Sequence, residues 1–141
     1  MGLLGGADKL LGENPSLFGV AAYAVLAGVV GTLLLVLFLG SVIPLSRSKD
    51  FVGWIIGFNT ALSGYALLEK GVERIRYPRV AGVGAGILNV LISFGVLCAL
   101  SLHFRGESLF VLRDLFLYLA IGAACGGMGG VLAVKYRRLK R

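Results

Sequence analysis

Side chains that carry chemistry are scarce in this chain. The sequence holds one histidine, two cysteines, three prolines and seven acidic residues among its 141 positions. General acid–base catalysis and metal binding need clustered His, Cys, Asp or Glu side chains, and the apolar parts of the sequence offer no such cluster. We therefore predict a protein that is not an enzyme and that needs no metal ion or other cofactor.

Apolar residues, by contrast, make up 57% of the chain, and the mean hydropathy is +0.90. A soluble domain of this size could not cover so much apolar surface. Four stretches without Asp, Glu, Lys, Arg or His approach or exceed the roughly 20 residues that cross a hydrocarbon core, namely 18–42, 51–68, 80–102 and 115–134. We predict an all-α integral membrane protein, a four-transmembrane-helix bundle that forms one membrane domain. The first stretch exceeds a signal-peptide core of about 7 to 15 residues, so we expect it to be retained.

Basic residues fall unevenly on the two sides that four spans define. The N-terminus, the loop 69–79 and the tail 135–141 share one side and carry ten of the 14 Lys and Arg residues. This bias predicts cytoplasmic termini, a basic cytoplasmic tail and a place in the cell or inner membrane. Juxtamembrane cations attract anionic lipid, and nucleic acid is not a predicted partner. The predicted headgroup-binding residues are Arg74, Arg76, Arg79, Lys135, Arg137, Arg138, Lys140 and Arg141.

Capping residues and prolines predict where the helices begin and end. Pro44 ends the first helix, and Pro78 lies in the first turn of the third. An apolar stripe through Ile75 predicts that the second helix continues beyond the bilayer. The predicted N-caps are Asn14 or Ser16 for the first helix and Ser48 or Asp50 for the second.

An offset of about 65 residues aligns the first half of the chain with the second. It pairs Gly19 with Gly84 and Lys70 with Lys135, among other matches. We therefore hypothesise that the bundle consists of two repeated helical hairpins.

Glycine is concentrated where helices are predicted, with five glycines in residues 122–130. The segment lacks the spacing of a phosphate-binding loop. Inside a membrane its backbone must stay helical, so the glycines indicate close helix packing. Two interpretations are open: packing within one bundle, or an oligomer seam and partner-docking face on the fourth helix. The predicted packing positions are Gly53, Gly57, Gly64, Gly82, Gly86, Gly122, Gly126 and Gly130.

A few polar side chains are predicted at bilayer depth, and buried amides and hydroxyls there need partners. They either bridge helices, with Asn59 and Asn89 bonding across a packed pair, or line a path for a solute. We interpret His103 as an interfacial side chain, and we interpret Cys98 and Cys125 as small buried apolar residues. The predicted cluster is Asn59, Thr60, Ser63, Asn89 and Ser93.

These patterns lead to two functional hypotheses. The first is a non-enzymatic accessory, assembly or scaffolding subunit that packs through glycine-faced helices, in a homo-oligomer or a larger membrane complex. The alternative is a small homo-oligomeric channel or carrier for an uncharged or anionic solute. No carboxylate is predicted at mid-membrane, which argues against proton-coupled transport.

Overall fold

Helices account for nearly all of the structure. The computed structural model describes residues 16–71, 74–107 and 110–140. Asn14, a predicted N-cap, and Arg141, a predicted headgroup-binding residue, lie outside these ranges. Within them the chain forms helices α1 (Leu17–Val42), α2 (Leu45–Gly71), α3 (Pro78–Arg105) and α4 (Leu112–Lys140).

Each of the four helices is long and apolar enough to cross a membrane. The predicted all-α four-helix membrane bundle is confirmed. The helices run for 26 to 29 residues, so each is longer than the apolar stretch that predicted it. The difference arises because the helical backbone continues through charged residues at the bundle ends. Residues 135–140 of the basic tail, for example, belong to α4.

Local signals placed two helix starts correctly. The Ser16 hydroxyl accepts a hydrogen bond from the Gly19 amide at 3.1 Å, so Ser16 caps α1 as predicted. Helix α3 begins at Pro78, also as predicted. The prediction for α2 was wrong, because this helix begins at Leu45 and neither Ser48 nor Asp50 is its N-cap.

The predicted extension of α2 was also wrong. The helix ends at Gly71, and residues 74–77 are not helical. Ile75 instead folds back, so that a Cβ built on Gly71 would lie 3.2 Å from Ile75 Cδ1 and 3.3 Å from Leu17 Cδ1. The apolar character of Ile75 reflects this return onto the bundle, where it packs on a core cluster that includes Val20 and Leu67.

The middle helices α2 and α3 touch each other, and both touch α1 and α4. Among the described residues α1 and α4 make no contact, so they lie on opposite sides of the α2–α3 pair. A two-fold arrangement of hairpins would match the α2–α3 contact with an α4–α1 contact. The bundle lacks that symmetry, and the sequence repeat remains a prediction.

Groove-lining residues show which helix ends lie together. Arg79 at the start of α3 lines a groove with Lys135 near the end of α4. Asp50 of α2 and Asp114 of α4 line a second groove near the opposite end. Leu17 lies beside Gly71, so the start of α1 joins the end that carries Arg79 and Lys135. The strongly basic segments therefore share one end of the bundle.

Candidate functional site

The structure gathers the polar side chains predicted at bilayer depth into one cluster. Asn59, Thr60 and Ser63 come from α2, and Asn89 and Ser93 come from α3. All five are buried, with Asn59 the most exposed at 5% and Asn89 at 0%. They lie near the middle of their helices and meet where α1 also packs against this pair.

A continuous chain of hydrogen bonds runs through the cluster. The Ser93 hydroxyl donates to Asn89 Oδ1 at 3.0 Å, and Asn89 Nδ2 donates to Ser63 Oγ at 2.8 Å. The Ser63 hydroxyl in turn donates to the Asn59 carbonyl at 3.0 Å. The central bond joins α3 to α2, and a bond of this kind in a bilayer contributes about 0.6 kcal/mol on average.

The partner of Asn89 differs from the one expected. Asn59 does not bond to Asn89 but donates from Nδ2 to the Ile55 carbonyl of its own helix at 3.0 Å. Thr60 likewise donates within α2, to the Gly57 carbonyl at 2.9 Å. The register of α2 against α3 brings Ser63 opposite Asn89, one turn beyond Asn59, so the hydroxyl makes the bridge.

Helix α1 closes the cluster with Gly28, Gly31 and Thr32, which were not among the predicted site residues. A Cβ built on Gly28 would overlap both Ser63 Oγ and Asn89 Nδ2. A Cβ on Gly31 would lie 2.7 Å from Asn59 Oδ1. Thr32 has no exposed surface and donates to the Gly28 carbonyl at 2.9 Å. The available signal was a run of small residues inside the most hydropathic helix.

The glycine positions predicted for packing lie at contacts within the bundle. A Cβ on Gly126 would lie 2.5 Å from the Gly82 carbonyl oxygen and 2.9 Å from Gly86 Cα. A Cβ on Gly64 would overlap the Gly126 carbonyl from the α2 side. Gly126 therefore lies between α2 and α3, where side chains would separate the helices.

The remaining predicted glycines make similar contacts. Gly53 and Gly57 face Ile121 of α4, and Gly130 faces Leu68 of α2. Gly122 faces Val90 and the backbone of Gly86, both on α3. Since Gly122, Gly126 and Gly130 are buried inside the bundle, they are not an open seam on its surface.

The cluster holds only amides and hydroxyls, which favour hydrogen bonding over acid–base chemistry. Among the described residues no three His, Cys, Asp or Glu side chains gather where they could hold a metal ion. His103 is exposed, with its ring against that of Phe104. Cys98 and Cys125 are free thiols on different helices.

The predicted headgroup cations divide into two groups. Arg79, Lys135 and Arg138 line one groove between the start of α3 and the end of α4. The second group lies outside this groove. Its exposed members are Arg74, Arg76 and Lys140, and its half-buried member is Arg137.

These features define an integral membrane bundle of four helices whose interior is held by glycine contacts and a buried polar bridge. A scan against protein-family models and searches of curated proteins and of solved structures found no match to the chain.

Proposed function

We propose that this chain is a non-enzymatic accessory subunit that assembles with a larger membrane complex through its helix surface. The buried polar cluster is the observation that carries this proposal. Asn89 uses both ends of its amide within the cluster and has no exposed surface. A buried amide bonded in this way fixes helices to one another and is not free to bind a passing solute.

A path for a solute would need polar groups facing an open space. Three grooves on the bundle, one between α2 and α4 and two between α3 and α4, include neither Asn59 nor Asn89 among their lining residues. Their walls are mainly apolar at membrane depth, which suits contact with lipid chains or another helix.

Of these grooves, the one between α2 and α4 suits a partner helix best. We call it the α2–α4 groove. It encloses about 910 Å³ and is lined by Gly53, Gly57 and Ala61, with Trp54 and Phe58 beside them. Gly53 and Gly57 themselves face Ile121 of α4, so the surface left for a partner helix is the outer rim of the groove. The large exposed aromatic rings add contact area, with Trp54 82% exposed.

Charge at one end of the α2–α4 groove indicates the chemistry of its occupant. Asp50 and Asp114 both line it, and no basic residue does. An apolar partner helix with a Lys or Arg at that membrane edge would complement the Asp50 carboxylate. At the opposite end of the bundle we propose that the basic side chains face cytoplasmic anionic lipid.

The test is purification of the tagged full-length chain from its own membranes in mild detergent after thiol cross-linking. Cys125 lines the α2–α4 groove, whereas Cys98 lines none of the described grooves. We expect a stoichiometric partner polypeptide that is cross-linked in the Cys98→Ser variant and not in the matched Cys125→Ser variant.

A single polypeptide at a discrete multiple of 14.8 kDa would overturn the accessory role and favour the channel or carrier alternative. In that case Asn59→Leu and Asn89→Leu would alter solute flux in vesicles. If the cluster is a structural bridge, the two substitutions change thermal stability and leave flux unaltered.

A further inference from the structure

Two adjoining grooves on the outer side of α3 and α4 form one amphipathic surface. The first encloses about 620 Å³ at the basic end of the bundle and includes Arg79, Lys135 and Arg138. The second, of about 500 Å³, runs further along the same two helices. Both include Arg79 and Val131, so they adjoin each other. We call the pair the α3–α4 groove.

The basic part of the α3–α4 groove has the chemistry of a phosphate site. Three cations from two helices line it, and none of its lining residues is acidic. The first turn of α3 also faces it through Pro78, and the cap residue Tyr77 makes no side-chain capping bond there. The positive end of a helix dipole adds to the attraction for an anion, and arginine forks match phosphate oxygens.

The deeper part of the α3–α4 groove has the chemistry of an acyl-chain site. Beyond Arg79 its lining is entirely apolar or glycine, and includes Val83, Ala124, Gly127 and Met128. The α4 residues between Ala123 and Lys135 cover about 18 Å at 1.5 Å per residue, close to one leaflet's half of a hydrocarbon core about 30 Å thick. The groove therefore changes from cationic to apolar along its length as a phospholipid changes from head to tail.

We propose that the α3–α4 groove binds one anionic phospholipid, with its phosphate between Arg79, Lys135 and Arg138 and one acyl chain along Ala124 and Met128. This inference rests on the part of the proposed function that sets the basic end against anionic lipid. It replaces a diffuse attraction with a discrete site. A bound lipid would fill the outer face of the α3–α4 pair, on the side of α4 away from the bundle interior.

The head-group test compares two triple variants that remove the same net charge. Native mass spectrometry of the full-length protein in mild detergent would be titrated with phosphatidylglycerol, and with phosphatidylcholine of the same chains as the uncharged reference. We expect one phosphatidylglycerol per chain. The first triple variant combines Arg79→Gln, Lys135→Gln and Arg138→Gln. It should weaken phosphatidylglycerol binding about 100-fold, because each cation near an anionic surface contributes roughly fivefold to the affinity.

The control triple removes Arg74, Arg76 and Lys140, which are exposed and line neither part of the groove. We expect it to change binding by less than about threefold, because these side chains do not line the groove and salt screens exposed charges. Equal losses in the two triples, or no loss in either, would overturn the site. Both triples replace exposed side chains, and thermal unfolding verifies that they remain folded.

The acyl-chain test uses a matched pair of alanines on α4. Ala124 lines the groove and Ala120 does not, and both are exposed. Ala124→Phe should weaken phosphatidylglycerol at least about tenfold, because each buried methylene contributes roughly a factor of four, and Ala120→Phe should not.

Inorganic phosphate, which has no acyl chain, is the second probe. It should not displace phosphatidylglycerol from the groove when both are present at equal concentration. Equal behaviour of the two alanine variants, or competition by phosphate, would contradict the phospholipid assignment. Neither result depends on partner co-purification, so this proposal and the accessory role fail separately.

Discussion

The contact between Gly28 and the polar cluster gives the sharpest prediction from this structure. Gly28→Ala would place a methyl group on Ser63 Oγ and Asn89 Nδ2, the two atoms that form the bond between α2 and α3. Both side chains are almost fully buried, at 2% and 0% exposure. The methyl group can be accommodated only if α1 moves outward or the bond breaks.

The expected loss follows from these two consequences. Overpacking a closed site costs about 1 to 3 kcal/mol, and a broken interhelical bond in a membrane protein adds about 0.6 to 1.7 kcal/mol. We therefore expect Gly28→Ala to lower the free energy of unfolding by about 2 to 4 kcal/mol. Gly40→Ala is the control on the same helix, because a Cβ there meets nothing within 4 Å.

Unfolding in mild detergent, followed by circular dichroism, measures the difference between the two variants. Alanine is the better helix former by up to about 1 kcal/mol, so Gly40→Ala should be neutral or stabilising. Adding Ser63→Ala and Asn89→Ala to the Gly28→Ala variant removes the two atoms that the new methyl group would overlap. The triple variant should therefore lose less free energy of unfolding than the sum of the separate losses, and the difference is the coupling energy. A Gly28→Ala protein as stable as Gly40→Ala would refute the packing argument.

Three further substitutions or probes test other parts of the bundle. Gly126→Ala should cost at least about 2 kcal/mol in the same assay, because its Cβ meets backbone that cannot rotate away; Gly95→Ala, which meets nothing within 4 Å, should be tolerated. Ser16→Ala should cost about 1 kcal/mol through the lost N-cap of α1, and an unchanged melting temperature would contradict this. Emission from Trp54, the one tryptophan, should be quenched by brominated lipid because its ring is 82% exposed; unquenched emission would contradict its lipid-facing position.

Hydropathy was sufficient to predict the four helices, because few charged side chains interrupt their apolar cores. It could not set their ends, since Arg105 and Lys140 are helical and yet hydrophilic. Ile75 was misplaced for a related reason. Its apolar side chain predicted a longer helix, whereas the chain turns after Gly71 and buries the same side chain by folding back.

The members of the polar cluster were predictable because hydroxyls and amides at bilayer depth must find partners. Their pairing was not, because the choice of Ser63 over Asn59 depends on helix register, which one sequence does not specify. Gly28 was missed as a site residue for a different reason. A glycine pattern signals close packing but not which side chains fill the space, here the Asn89 amide and the Ser63 hydroxyl.

The difference between α1 and the other helices explains why a polar bridge lies where it does. Helix α1 is the most hydropathic span and the least buried, with 22% of its apolar window inside the bundle against 50% for α2. Lipid solvates such a surface as well as protein does, so apolar contact alone would leave the rotation and depth of α1 weakly specified. The fit of Gly28 over the Ser63–Asn89 pair favours one rotation and one depth of α1. Helix α4 needs no polar contact of this kind, because Gly122, Gly126 and Gly130 fit it against the backbones and side chains of two helices.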